Sequence, residues 1–250
     1  MALSFRTGNP VLKESTFENA RSLTGERGMT VDGTVNKTGL LLICVVATAS
    51  WTWSLGRSAD PSAAMGLLLI GALGGFVVAM VTVFKQSWAP VTAPIYALLE
   101  GLVLGGISAI FEVRYPGIPM QAVMLTMGTL VCMLLAYRAG LVRATQNFKT
   151  GVIAATGGIA LVYFVSILLG FFGVQVPRIY DAGPIGIAFS LFVVAIAALN
   201  LVLDFDLIET SVAGGAPKYM EWYGAFALMV TLIWLYLEML RLLSKLRSRR

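Results

Sequence analysis

Seven long apolar runs fill this chain from about residue 38 onward, and only short polar or Pro/Gly-marked stretches separate them. A helix that spans a bilayer needs roughly 20 apolar residues, with a range of about 17–25. Each run meets that length. They fall at about Thr38–Leu55, Ala63–Phe84, Val91–Phe111, Pro119–Tyr137, Val152–Phe172, Pro184–Ile208 and Trp222–Leu243. Trp51 and Trp53 close the first run as interface anchors. The second carries Gly71 and Gly75, and the third Gly101 and Gly105. This four-residue spacing of small side chains lets helix backbones approach closely in a membrane. Pro and Gly mark several connections, at Asp60-Pro61, Tyr115-Pro116-Gly117, Gly183-Pro184 and Gly214-Gly215-Ala216-Pro217. The pattern predicts an all-α, polytopic membrane protein with seven transmembrane helices and no inserted soluble domain.

Residues 1–36 read differently. They form a polar stretch expected to be a flexible cytoplasmic tail, with a short amphipathic helix around Ser15–Leu23 as the alternative. Residues 37–250 are then the seven-helix domain. No cleavable signal peptide is expected, because the first apolar run begins only near Gly39.

Composition sharpens this picture. The chain is 58% hydrophobic and 12% charged, half the charged share of about 25% usual in soluble domains. Its net charge of +5 sits in loops and tails, so it reads as a topology signal and not as a nucleic-acid footprint. With the N-terminus inside, the inner face collects the tail, Lys85, the Arg138/Arg143/Lys149 loop and Lys218. The outer face receives Arg57, Arg114 and Arg178. The basic C-terminus, with Arg241, Lys245, Arg247, Arg249 and Arg250, breaks the rule if all seven runs cross fully. Either a late segment is re-entrant or the rule fails there. Cys44 and Cys132 lie singly in apolar runs and read as buried packing.

Histidine is absent. That excludes H-E-x-x-H zinc proteases, Ser-His dyads and haem ligation by His. The last run lacks the lysine a retinal protein needs, and no Gly-x-Gly-Asp motif of an intramembrane aspartyl protease occurs. The chain is therefore expected not to be an enzyme, and to carry no cofactor.

The candidate chemistry lies in carboxylates at membrane depth. An ionisable group at the bilayer centre costs roughly 2.5–3.5 kcal/mol on insertion scales, so such groups tend to face the bundle interior and mark function. Asn200 and Asp204 are four apart and share a helix face. Asp206 and Glu209 read more simply as the helix's exit into water. Glu100 sits mid-run in the third segment and is expected to face the interior, on the side of Gly101 and Gly105 or toward a polar cavity. Glu238 has a simple partner in Arg241 at i+3. Lys85 ends the second run as a snorkelling lysine, or as a contact for Asp204.

Four stretches carry a family resemblance: Asn36-Lys-Thr-Gly39, Ala97-Leu-Leu-Glu-Gly-Leu-Val-Leu-Gly105, Leu203-Asp-Phe-Asp-Leu-Ile208 and Leu235-Tyr-Leu-Glu-Met-Leu240. With them the chain resembles the Bax inhibitor-1/YccA-like (transmembrane Bax-inhibitor-motif) proteins, over essentially everything from Asn36 on. The resemblance implies a compact seven-helix fold with the last helix central, and a pH-sensitive calcium leak in the inner membrane. It implies a pair of acids sharing a proton, which falls here on Asp204 and Glu238, and a basic latch, which falls on Lys85. Asn200, Asp204, Asp206 and Glu238 offer oxygen ligands for calcium as the transported ion, with Asp204 and Glu238 as its ligand pair. The second acid is Glu where the family pattern has Asp. The two acids also sit on the order of 15 Å apart in height, so a direct pair needs a kink or re-entrant turn around Ala216–Ala227. The expected partners are the lipid bilayer and calcium or other cations. The second reading is a non-conducting modulator that meets a membrane protease through its N-terminal tail.

Overall fold

The computed structural model describes residues 28–57, 62–173 and 181–249. The flexible-tail and amphipathic-helix expectations for residues 1–27 lie outside the described residues. Seven helices account for nearly everything described: α1 (Val31–Gly56), α2 (Ser62–Phe84), α3 (Ala89–Arg114), α4 (Ile118–Arg138), α5 (Gln146–Phe171), α6 (Pro184–Ala213) and α7 (Met220–Ser248). A single 3-10 turn, Gln86–Trp88, separates α2 from α3. All seven helices are long and apolar enough to cross a membrane. The protein is an integral, multi-pass membrane protein.

Most helices outrun their apolar stretches, because polar ends find partners. The Thr30 hydroxyl caps α1 by accepting from Gly33 N at 3.0 Å, so the helix starts at Val31, ahead of the apolar run. The Thr145 hydroxyl does the same for α5, accepting from Phe148 N at 3.4 Å. α7 runs unbroken from Met220, and Ala216–Tyr219 belong to the turn that precedes it, so the helix has no break between Met220 and Ala227. Two of the basic residues near its end are not loop charges at all: Arg241 pairs with Glu238, and Lys245 is buried. That shrinks the basic C-terminus that the topology rule has to explain.

The helices belong to two compact units. In one, α1, α2 and α3 join the end of α6 from Leu207 and the start of α7 up to Val230. Here the small residues work as expected. A Cβ added at Gly71 would lie 2.6 Å from the Leu99 carbonyl oxygen, so α2 and α3 touch backbone to backbone. Gly101 and Gly105 press the other side of α3 onto Val45, Thr48 and Ala49 of α1. Tyr96 packs edge-on against Phe226, with ring centres 4.8 Å apart.

The other unit holds α4, α5, α6 up to Asp206 and α7 from Thr231. Its apolar centre is Ile159, Val193 and Ile196, with Tyr163, Phe189 and Trp234 packed around them. α7 is the most buried of the seven helices: 72% of its apolar window is buried, against 11% for α5. The outward faces of α4 and α5, with Met124, Leu135, Phe164 and Ile167, are apolar and exposed, as lipid-facing surfaces are. Cys132 lies on such an exposed face and not in the packed interior expected for it, while Cys44 is half-buried.

Candidate functional site

Asp204 is fully enclosed, with 0% of its surface exposed. It stands near the end of the apolar part of α6, and the Thr231 hydroxyl of α7 donates to its Oδ2 at 2.6 Å. At 2.6 Å this is a short hydrogen bond. It ties the two late helices together at one level.

One turn earlier on α6, Asn200 turns to a different neighbour. Its Nδ2 donates to the Thr156 hydroxyl of α5 at 2.8 Å and to the Ile196 carbonyl at 2.9 Å. Asn200 and Asp204 are both buried but serve two helix contacts. Asp206 leaves the core and pairs with Lys149 at 2.5 Å, where both side chains are partly exposed. Glu209 is exposed, as its place at the helix exit suggested.

Glu238 is buried in the middle of α7. Its Oε1 receives the Tyr163 hydroxyl at 2.9 Å and the Arg241 guanidinium at 2.7 Å. Arg241 also donates to the Tyr163 oxygen at 2.6 Å, which closes a three-membered cluster. The expected i, i+3 pair is present, with a tyrosine added that spacing along the chain could not reveal. Glu238 Oε2 has no hydrogen-bond partner. Two turns further, Lys245 is buried and donates to Ser190 Oγ at 2.9 Å and to the Gly186 carbonyl at 3.0 Å.

Two further candidates lie in the other unit. Glu100 is half-buried, hydrogen-bonded to Tyr96, and its carboxylate faces Gly75 of α2. It points inward, as expected, but not to the side of Gly101 and Gly105, which approach α1. Lys85 is exposed, and its ammonium lies 4.5 Å from the centre of the Trp88 ring, a cation–π contact.

Sequence reasoning missed one cluster entirely. Glu221, at the start of α7, is fully buried and accepts from Thr30 N at 2.9 Å, Thr30 Oγ1 at 2.8 Å and Lys218 Nζ at 2.6 Å, and also from Lys37 Nζ. The Met29 amide bonds to the Ala216 carbonyl at 2.7 Å beside it. The start of α1 is thus fastened to the start of α7.

The family model described as Bax inhibitor 1 like matches residues 9–248. The chain belongs to that family. No curated protein and no solved structure matches it. Within this Bax inhibitor 1 like chain, the acid pair that the resemblance assigned to Asp204 and Glu238 is not a hydrogen-bonded pair. Glu238 Oε1 is occupied by Tyr163 and Arg241, and Oε2 is unpartnered. Asp204 meets Thr231, two helical turns before Glu238 and about 10 Å from it along α7. The reason is the unbroken α7, which keeps the height difference that a kink would have removed. Among the described residues no group of three or more acidic, Cys or His side chains could hold a metal ion.

Proposed function

We propose that this protein is a proton-gated cation leak of the inner membrane, with calcium as its favoured ion and its N-terminus in the cytoplasm. The observation that carries the reading is the fully enclosed Asp204 hydrogen-bonded to Thr231 across α6 and α7. The chain has no histidine, so we assign a response near neutral pH to carboxyls in unusual surroundings. Ionised, Asp204 accepts the Thr231 hydroxyl and holds the two helices at one level. Adding a proton removes the charge that makes this bond strong, so the closed arrangement loses part of its advantage. A leak needs ligands that exchange quickly, and scattered single oxygens along the late helices suit transit better than a tight cage.

The test is calcium leak against pH in proteoliposomes. Asp204→Asn is expected to change both the amplitude of the leak and its pH dependence. Thr231→Val removes a hydrogen bond to a charged group, worth about 1.5–3 kcal/mol. It is expected to shift the balance of closed and open states by roughly ten- to a hundredfold while leaving a titrating acid in place. Monodisperse, helical protein in each case is the control. Leak that stays unchanged at every pH in Asp204→Asn removes this residue from the gate.

A further inference from the structure

Ser190, Ala197 and Asp204 recur at intervals of seven on α6, and Thr231, Glu238 and Lys245 at intervals of seven on α7. Seven residues are close to two helical turns, so each set forms one stripe. Two hydrogen bonds fix how the stripes face each other: Thr231 to Asp204 at 2.6 Å and Lys245 to Ser190 at 2.9 Å. The helices run antiparallel, so the middle members meet, and Ala197 stands at the level of Glu238. Asn200 lies three residues from that level, about 4.5 Å of helix rise. α5 runs along the same junction. Its Thr156 touches Asn200 and its Tyr163 touches Glu238.

Two oxygens at this junction have no partner, Asn200 Oδ1 and Glu238 Oε2. Both residues are only 1% exposed. Leaving such an atom unpaired costs about 1–3 kcal/mol, and orphaned buried acceptors commonly mark an ordered water or ion. The orientation of the Asn200 amide follows from its bond to the Ile196 carbonyl, which only the Nδ2 side can make. Both free atoms are therefore acceptors, and both need a donor. The Glu238 charge is already matched by Arg241 at 2.7 Å, so little negative charge is left to hold a cation. The register places Ala197, whose side chain is a single methyl, at the level of Glu238.

We propose that a buried site between α5, α6 and α7 holds one ordered water, which donates one proton to Asn200 Oδ1 and the other to Glu238 Oε2. A water has two donors, and the site has two acceptors without one. Water buried on this scale with two or more polar partners is an ordinary part of folded proteins. The bound water joins the Asn200–Thr156 contact to the Tyr163–Glu238–Arg241 cluster, at a level between the Asp204–Thr231 and Lys245–Ser190 contacts. The site does not depend on the protein being a leak.

The experiment is NMR on full-length protein in lipid nanodiscs, with 15N-labelled asparagine and 13C-labelled glutamate. Magnetisation transfer from water to the Asn200 side-chain amide is measured, with the signal assigned by its loss in Asn200→Asp. Strong transfer is expected in the wild type. It should fall several-fold in Ala197→Leu, which fills the site, and in Ala197→Ser, whose hydroxyl takes over donation to Glu238 and which is the milder change should the leucine variant not fold. Absence of transfer in the wild type overturns the site. Transfer that survives Ala197→Leu but disappears in Thr156→Val comes from the hydroxyl and overturns it as well. So does a Glu238 carboxyl shift typical of the protonated acid at neutral pH, since Glu238 would then donate directly to Asn200. Movement of the Asn200 signal when choline is exchanged for sodium or calcium identifies an ion in place of the water.

Discussion

Glu221→Ala is expected to destabilise the protein by about 3–5 kcal/mol, the usual cost of breaking a buried ion pair from one side. The side chain is fully buried and accepts from two lysines and from the Thr30 amide and hydroxyl. Its loss leaves the Lys37 ammonium, only 19% exposed, without its counter-charge, and the cap of α1 without its second anchor. The damage then spreads along two helices, because the same carboxylate fastens the start of α1 to the start of α7. For a chain of this size the change corresponds to a fall of roughly 6–20 °C in melting temperature in detergent. The lysines should rank by burial. Lys37→Met costs more than Lys218→Met, whose ammonium is 47% exposed and is held by solvent once the pair is broken. Gly33→Ala should resemble the loss of Glu221, since a Cβ there would fall on the Glu221 carboxylate. A loss under 1 kcal/mol in Glu221→Ala would show the cluster to be incidental to stability.

The architecture was legible because lipid leaves a coarse mark. A run of about 20 apolar residues admits one structure, and every such run became a helix. The glycine spacings were legible for a related reason: in lipid, close backbone approach is a main source of helix contact, and Gly71, Gly101 and Gly105 all lie at such contacts. Helix ends were harder to read. Val31–Lys37 is polar, yet it is helical because Glu221 and Thr30 satisfy it, and Glu221 is nearly 200 residues away in sequence.

The site was half legible. Asp204 announced itself by charge at depth, but its partner Thr231 carries no charge, and nothing local separates it from any other threonine in an apolar helix. Glu238 suffered the opposite error. The resemblance paired it with Asp204, while α7 holds it two turns from Thr231, beside Tyr163 and the Arg241 that its spacing suggested. Lys245 was read as a topology charge, although its ammonium lies against α6, because hydropathy does not separate a buried lysine from a basic tail.

Two membrane helices can respond to one substitution in opposite ways, depending on what lies opposite, and glycine is the place to see it. Gly to Ala within a helix gains about 0.5–1 kcal/mol in backbone entropy when the methyl meets nothing. Gly128 on α4 is such a position, with open space around it, so Gly128→Ala is expected to raise stability by about that amount. Gly105 is the reverse case. A Cβ there would fall on the Ala49 carbonyl group of α1, whose carbon is 2.9 Å away, and at Gly101 it would lie 2.5 Å from the Val45 carbonyl oxygen. These neighbours are helix backbone and cannot rotate aside, so α1 and α3 must separate and lose close contact along their length. Overpacking of this kind costs about 1–3 kcal/mol even where side chains can adjust. Gly105→Ala is therefore expected to cost at least about 2 kcal/mol and Gly105→Leu to prevent a stable fold, while Gly128→Ala changes stability in the other direction. Thermal unfolding of the three variants in the same detergent decides it. Equal effects at Gly105 and Gly128 would mean that α1 and α3 do not meet backbone to backbone.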